Sequence, residues 1–176
     1  MAHFRCKAGA LVQSFRSLHL FSSHFEKIPL RALIDTNLFV YGTYRQFREY
    51  EKARNFLQTC QQGEDRWYLA WGVIYEYLSV VTQPEIFKPD GLSFTQALDN
   101  VRRFCRSPFV EILQEGEDHM QTLEALSDEY PSLRGGIHHD AHLVTLMREH
   151  EISAIYSTDT DFHRFKGIRV INPIEG

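Results

Sequence analysis

Two apolar stretches of strand character, one near each end of the sequence, each lead into a carboxylate. Asp35 directly follows Ala32-Leu33-Ile34, and Asp159 follows Ile155-Tyr156 and two small polar residues. In an open α/β sheet, ligands bind at the carboxyl ends of the strands, which is where both acids are expected. Two carboxylates that meet at this edge favour a site for a hard divalent cation over a simple salt bridge.

Three further acids are candidates for the same site, and most of these residues also have a simpler interpretation. Glu76 lies in a strongly apolar segment, where a carboxylate is costly to bury unless it is paired or binds a cation; otherwise it occupies a narrow solvent-facing edge. Asp140 is expected in the first turn of a helix, where the macrodipole favours a negative charge whatever the function. Asp161 can share the site, cap a turn or orient a donor, and Asp35 can simply form an Asx turn.

Histidines surround Asp140 and suggest a transition-metal site as an alternative. His138, His139 and His142 together with Asp140 would supply ligands suited to zinc. Adjacent residues on a helix point about 100° apart, which argues against one ion shared by His138 and His139. We therefore expect His142 to be a partly exposed surface residue.

The segment Asp159-Thr160-Asp161 is similar to the DxDx(T/V) loop of haloacid-dehalogenase-like phosphatases. Phe162-His163 follows where that loop requires Thr or Val, and the segment lies near the end of the sequence rather than the start. The sequence contains no Walker A loop, GxSxG or GxGxxG motif. A phosphatase is therefore the weaker alternative.

Hydrophobic periodicity predicts strands that alternate with helices, which is the pattern of βα units around a parallel sheet. Ser93 and Gln96 indicate a capping box at the start of one helix. The predicted helices cover residues 44–60, 71 to just before 84, 94–106, 117–130 and about 140–150, and the predicted strands cover residues 32–34, 67–70, 109–113, 154–157 and 168–171.

The composition indicates one globular domain. The 176 residues carry a formal charge of −4, which argues against a general attraction to nucleic acid but not against a local basic surface. The three cysteines are widely spaced, so we expect no disulfide framework and a reducing, cytoplasmic location. No stretch approaches the roughly 20 apolar residues of a membrane span. Residues 1–30 are interpreted as an extension, either dispensable or an ordered arm, ahead of a domain over residues 31–176.

At these acidic residues the chain resembles the PIN-domain family, and within it the VapC-type toxins of bacterial toxin–antitoxin pairs. Four segments carry the resemblance in the family's order, and together they span about residues 31–173. They are the DTN motif in Leu33–Asn37, the segment around the family's glutamate in Trp71–Leu78, the DA-containing helix start in His139–Leu143, and the T-x-D-x-D-F element in Ser157–Phe162.

The resemblance implies a PIN-like three-layer α/β/α sandwich with a small central parallel sheet, and a metal-dependent endoribonuclease. Asp35, Asp140 and Asp159 would bind Mg²⁺ or Mn²⁺, while Glu76 would complete the site or position the attacking water. Asp161 is the alternative to Asp159 as the inner ligand. Residues expected to orient these ligands or phosphate oxygens are Thr36, Asn37 and Thr158.

Two basic groups are candidates for binding RNA phosphates, because each begins near a strand end that carries an acid. The first is predicted to lie on one face of a helix, and the second follows Asp159. The first comprises Arg45, Arg48 and Lys52, and the second comprises Arg164, Lys166 and Arg169.

Partners follow from the resemblance and from an excess of aromatic residues in the first half of the chain. The family implies a homodimer and a cognate VapB-type antitoxin. The alternative function is a protein of the same fold that binds RNA or a partner with little catalysis. The aromatic residues either fill the core or form an exposed patch for these partners: Tyr41, Tyr44, Phe47, Tyr50, Tyr68, Trp71, Tyr75, Tyr77, Phe87 and Phe94.

Overall fold

A parallel five-stranded sheet forms the centre of the molecule. The computed structural model describes residues 30–87 and 91–175, so the predicted extension lies outside the described residues apart from Leu30. The strand order is β3-β2-β1-β4-β5, and every neighbouring pair is parallel. The strands are β1 (Arg31–Ile34), β2 (Arg66–Ala70), β3 (Val110–Leu113), β4 (Ala154–Tyr156) and β5 (Arg169–Ile171).

Six helices flank the sheet and complete the expected three-layer sandwich. Helices α1 to α4 connect β1 to β2 and β2 to β3, and α5 and α6 connect β3 back to β4. Because parallel crossovers are right-handed, connections that run in opposite directions along the sheet cover opposite faces. The helices are α1 (Thr36–Tyr41), α2 (Tyr50–Gln62), α3 (Trp71–Val81), α4 (Phe94–Phe104), α5 (His119–Glu129) and α6 (Ile137–Glu149), with a 3₁₀ helix at Asp161–Arg164.

The strand order reverses at β1, which determines where a ligand can bind. The chain proceeds from β1 to β2 and β3 on one side, whereas β4 and β5 lie on the other. At such a switch point the connections leave adjacent strands in opposite directions, and a crevice opens at their carboxyl ends. Ala32, Leu33 and Ile34 are fully buried in the central strand, so the residues that follow β1 and β4 emerge directly into this crevice.

The predicted helix over residues 44–60 is wrong at its start. Residues 43–49 form turns, and α2 begins only at Tyr50. Tyr44 is held elsewhere by tertiary contacts, since its hydroxyl donates to the carbonyl of Val81 (2.6 Å) and its ring stacks on Phe87 (3.8 Å between centroids). Arg45 and Arg48 therefore lie in turns and do not share a helix face with Lys52.

Other element boundaries differ only slightly from prediction, with the exception of α1, which no sequence pattern predicts. Helix α4 ends at Phe104, α5 begins at His119, and α6 begins at Ile137, three residues earlier than expected. The capping box of Ser93 and Gln96 is confirmed. Among the described helices, none has the length and apolar character needed to cross a membrane.

Most of the ten aromatic residues serve the core and not an exposed patch. Four of them are buried, namely Tyr50, Tyr68, Tyr77 and Phe87, and three more are partly buried. Only Trp71 (46% exposed), Tyr75 (66%) and Phe94 (63%) are exposed. Of these ten aromatic residues, only three are therefore available to a partner, and two of them, Trp71 and Tyr75, lie together on α3 with ring centroids 6.0 Å apart.

Candidate active site

Asp35 occupies the first position after β1 and also caps α1. It is only 7% exposed, and its carboxylate accepts three hydrogen bonds. The backbone N–H of Thr36 donates to Oδ1 (2.7 Å), while Asn37 Nδ2 and Ser157 Oγ each donate to Oδ2 (2.6 Å). Three donors from two strand ends hold this carboxylate in one orientation at the head of the crevice.

Ser157 connects the end of β1 to the loop that follows β4. Its Oγ donates to Asp35 and accepts hydrogen bonds from Asn37 Nδ2 (2.9 Å) and from the backbone N–H of Asp159 (2.8 Å). The hydroxyl is fully buried, so these bonds are not shared with solvent. Asp159 is therefore positioned by the same network that orients Asp35.

Glu76 reaches the site from α3, but not for the reason that the sequence suggests. The residue is exposed, so the argument from the cost of burial is wrong, and the solvent-facing edge is the correct interpretation. That edge borders the same pocket as Asp35, and Thr36 Oγ1 donates to Glu76 Oε2 (2.7 Å). Thr36 thereby orients Glu76 through its side chain and Asp35 through its backbone.

Three more carboxylates meet on the other side of the crevice. Asp140 lies half-buried in the first turn of α6, and one oxygen each of Asp140, Asp159 and Asp161 lies within 4.8 Å of the others. The backbone N–H of Asp161 donates to Asp159 Oδ1 (2.8 Å), and Arg164 Nη2 donates to Asp161 Oδ1 (2.6 Å). Asp161 is thus already paired with a cation of the chain.

All five acids line one open pocket of about 750 Å³ at the carboxyl edge of the sheet. Thr36 and Asn37 also line it, whereas Thr158 does not. The backbone N–H of Thr158 instead donates to Asn37 Oδ1 (3.3 Å). The structure therefore brings together every acid predicted from the sequence, with Thr158 as an indirect support.

The first basic group lies beside the pocket and not within it. Arg48 and Lys52 line a neighbouring depression of about 470 Å³, together with Thr158 and Tyr41. Tyr41 also lines the acidic pocket, so the two depressions adjoin at this residue. Arg45 lines neither depression, and its guanidinium lies over the ring of Tyr50 at 5.9 Å.

The second basic group contributes one residue to the pocket. Arg164 lines it, whereas Lys166 and Arg169 are exposed outside it. Arg134, which no sequence pattern indicates, also lines the pocket from the segment before α6. Ser157 is another residue for which the sequence predicts no role, although its place directly after β4 matches that of Asp35 after β1 and could have indicated it.

The alternative zinc site around Asp140 does not form. His138 is exposed and His139 borders the acidic pocket, whereas His142 turns away and its Nε2 lies 3.3 Å from Glu115 Oε1. Residues two positions apart on a helix differ in direction by about 200°, so His142 and Asp140 face opposite sides of α6.

Comparison with known proteins identifies the family. Ribonuclease VapC48 of Mycobacterium tuberculosis is 34% identical over 142 residues, which cover 81% of this chain and 97% of the relative. The chain belongs to the VapC family. Ribonuclease VapC37 of the same organism is 26% identical over 141 residues, or 80% of this chain and 96% of that relative. No protein-family model matches the chain.

Solved structures support the VapC fold. The VapBC2 complex of Rickettsia felis, bound to a DNA fragment from its promoter, contains a chain that matches with a TM-score of 0.57 and 14% identity, over 81% of this chain and 98% of that one. VapC20 of M. tuberculosis, described as a Sarcin-Ricin loop cleaving toxin, matches with a TM-score of 0.55 and 17% identity, over 78% of this chain and 98% of that one. Membership of the VapC family removes the phosphatase alternative. The position of Asp159-Thr160-Asp161 agrees with this, because the segment follows the fourth strand instead of the first.

Electrostatics in this VapC site favour a bound cation. Burial raises the pKa of Asp35 to about 6, despite the lowering effect of its hydrogen bonds. Burial also raises the pKa of Asp140 to about 7, with further contributions from the negative charges of Asp159, Asp35, Asp161 and Glu76. The acids thus repel one another at neutral pH, and their oxygen-only ligand set suits a hard cation such as Mg²⁺ or Mn²⁺.

Proposed function

We propose that this VapC-family chain is a divalent-metal-dependent endoribonuclease and the toxin of a toxin–antitoxin pair. The observation that carries the proposal is the convergence of Asp35, Glu76, Asp140 and Asp159 on one open pocket at the switch point of the sheet. The curated relatives are named ribonucleases, and one fold neighbour is described as a toxin that cleaves the Sarcin-Ricin loop. Both descriptions support RNA as the substrate.

Asp35, Asp140 and Asp159 would hold the cation, and Asp161 is the weaker candidate. Arg164 is already paired with the carboxylate of Asp161, whereas the carboxylate of Asp159 accepts a hydrogen bond from the backbone N–H of Asp161. After burial, the charge of Asp159 makes the largest contribution to the raised pKa of Asp140. When bound, Mg²⁺ or Mn²⁺ would supply Lewis-acid polarisation of the phosphoryl oxygen and an acidified water.

Residues of the chain would then direct in-line hydrolysis of the phosphodiester bond. Glu76 is exposed to the pocket and held by Thr36, so it is placed to orient the attacking water and to accept its proton. Asn37 Nδ2 donates to Asp35, and Asn37 Oδ1 accepts from the backbone N–H of Thr158. These two bonds preserve the spacing between the two strand ends.

Metal removal tests this function directly. Short RNA hairpins and single strands incubated with the purified full chain should be cut internally in the presence of Mg²⁺ or Mn²⁺. EDTA should stop the cleavage, and excess metal should restore it, because four carboxylates without a cation cannot stabilise the charge on the phosphate. Sequencing the product ends would reveal the cleaved sequence, and DNA of the same sequence is the matched control.

Two outcomes would contradict the proposal. Cleavage that continues unchanged in EDTA would exclude the metal mechanism. RNA binding without cleavage under every metal condition would favour the alternative, a binding protein on the same fold.

The antitoxin is tested in the same assay. The product of the neighbouring gene should bind the chain and suppress cleavage, as expected for a partner that covers the pocket or places a basic side chain among the acids. Light scattering on this complex and on the free chain would test the homodimer.

RNA phosphates are proposed to contact the basic residues around the pocket. Arg134 lines the pocket, and Arg48 lines the depression that adjoins it at Tyr41. The variant with Arg48→Ala and Arg134→Ala should bind RNA more weakly, and the slope of log affinity against log salt should decrease by about 0.7–1 per lost contact. Arg103→Ala is the control, because this exposed arginine lines a different depression on α4. An unchanged slope in the double variant would exclude this surface.

A further inference from the structure

Four titratable side chains meet outside the acidic pocket, between α5, α6 and the segment after β3. One ligand atom each of Glu115, His119 and His142 lies within 4.8 Å of the others. His142 Nε2 is 3.3 Å from Glu115 Oε1, and the two histidine rings meet edge to face with centroids 5.4 Å apart. Behind them, Glu149 Oε2 is 2.7 Å from His119 Nδ1. None of these residues belongs to the acidic pocket.

We propose that Glu115, His119 and His142 form a second metal site, which takes a borderline transition-metal dication such as Zn²⁺. Two imidazoles and one carboxylate are the ligand set that this class of ion prefers, in contrast with the oxygen-only set of the acidic pocket. Ligands that share one zinc ion at about 2.0–2.2 Å lie roughly 3.4 Å apart in tetrahedral geometry. The Glu115–His142 pair is already at that separation, and Glu115 is exposed, so its side chain can adjust.

Glu149 acts as a positioning residue for His119. Its carboxylate accepts from Nδ1, which assigns the proton to that nitrogen and leaves the Nε2 lone pair available to a cation. The side chain of Glu149 is only 8% exposed, and its Oε1 is buried without a hydrogen-bond partner among the described residues. A buried carboxylate in this state is costly without nearby positive charge, which a dication bound to His119 would supply.

The site would connect three separate segments of the fold. Glu115 follows the edge strand β3, His119 begins α5, and His142 lies in the middle of α6. Because Asp140 and His142 project to opposite sides of α6, one helix carries a ligand of each site. A cation at the second site would therefore fix the position of the helix that carries Asp140 without contacting RNA.

Zinc titration of the full chain separates this proposal from two simple ion pairs. Calorimetry on metal-stripped protein should detect a Zn²⁺ site of micromolar affinity or tighter, present in wild type and in Asp140→Asn alike. His119→Ala and His142→Ala should each weaken that site at least about 100-fold, and Glu149→Gln by about 10–100-fold. Co²⁺ bound at the same site should show visible d–d absorption, a signal that does not depend on RNA cleavage.

Controls make the result decisive. His138→Ala removes an exposed histidine of the same helix that lies outside the cluster, and it should leave zinc binding unchanged. Circular dichroism would verify folding, and His142→Gln preserves the side-chain volume if the alanine variant fails to fold. The proposal is overturned if zinc binding is lost in Asp140→Asn but kept in His142→Gln or His142→Ala, or if wild type binds no zinc below about 100 μM. Either result would leave the cluster as ion pairs, and neither would affect the test for RNA cleavage.

Discussion

Asp140→Asn should make the metal-free protein more stable at pH 8 and, in the presence of metal, strongly reduce RNA cleavage. The substitution removes one of the mutually repelling charges in the pocket, and this repulsion adds to the burial that raises the pKa of Asp140. Because the residue is half-buried, solvent screening reduces the gain to about 1 kcal/mol, or an increase in Tm of about 2–4 °C. Cleavage should fall by about 10³-fold or more, since several kcal/mol of metal-derived stabilisation are lost.

The stability gain should depend on pH in a defined direction. A carboxyl whose pKa is raised from 3.8 to about 7 on folding binds its proton more tightly in the folded state. The wild type is therefore destabilised most above pH 7, and this penalty disappears gradually as the pH falls from about 7 to about 4. The advantage of Asp140→Asn should shrink over the same range. At pH 8, saturating Mg²⁺ should make the wild type the more stable protein, because the cation binds the folded wild type much more tightly than the variant.

Thermal unfolding in EDTA and in Mg²⁺ at several pH values would measure this behaviour. Asp128→Asn removes an exposed carboxylate from α5 and should change neither stability nor cleavage appreciably. If Asp140→Asn proves less stable than the wild type in EDTA at pH 8, the repulsion inferred for the acidic pocket is wrong. If it cleaves RNA at the wild-type rate, the assignment of Asp140 as a ligand fails.

Ser157→Ala should lower cleavage and metal affinity by about 10–100-fold, although this serine contacts no cation. The hydroxyl donates to Asp35 and accepts from Asn37 and from the backbone of Asp159. Without it, Asn37 Nδ2 and the backbone N–H of Asp159 lose an acceptor, and the two strand ends are no longer held at a fixed separation. If Ser157→Ala needs more metal for half-maximal cleavage, but loses less activity at saturating metal than at low metal, the serine has a positioning role.

Ser107→Ala is the matched control for this effect. Ser107 is a partly buried serine in the turn before β3, and its Oγ donates to the carbonyl of Gln61 (3.0 Å) and accepts from the backbone of Phe109 (3.3 Å). It lies at the amino end of β3, away from the crevice. Both variants should lose some stability, and Ser157→Ala should lose more, because Ser157 is fully buried and its hydroxyl makes three hydrogen bonds. Equal metal affinity in the two would show that the Ser157 network does not organise the site.

The sequence predicts the acidic site because strand ends are local features. Asp35 and Asp159 follow short apolar runs that stop at small polar residues, so their place at the sheet edge is predicted from this local pattern. Asp140 is assigned correctly to a first helical turn by similar reasoning. The motifs of the VapC family then connect these acids, with Glu76, into one set.

Local reasoning fails where distant segments compete for the same residue. Periodicity extends α2 back to residue 44, but Tyr44 is bound to Val81 and Phe87, and these contacts outweigh the helical preference of the segment. Glu76 is placed in the site for the wrong reason, because neighbours in sequence cannot reveal which narrow face of an apolar helix remains open. Its partner, Thr36, lies 40 residues away.

By itself, the sequence determined which residues end the strands and therefore which acids point out of the carboxyl edge of a parallel sheet. The tertiary structure alone decided which of those ends are adjacent. The reversal of strand order at β1 brings Ser157 to Asp35 across 122 positions, and the packing of α5 against α6 directs His142 to His119 instead of to its sequence neighbours. Strand order and helix packing depend on the burial of the whole chain, which no local spacing encodes.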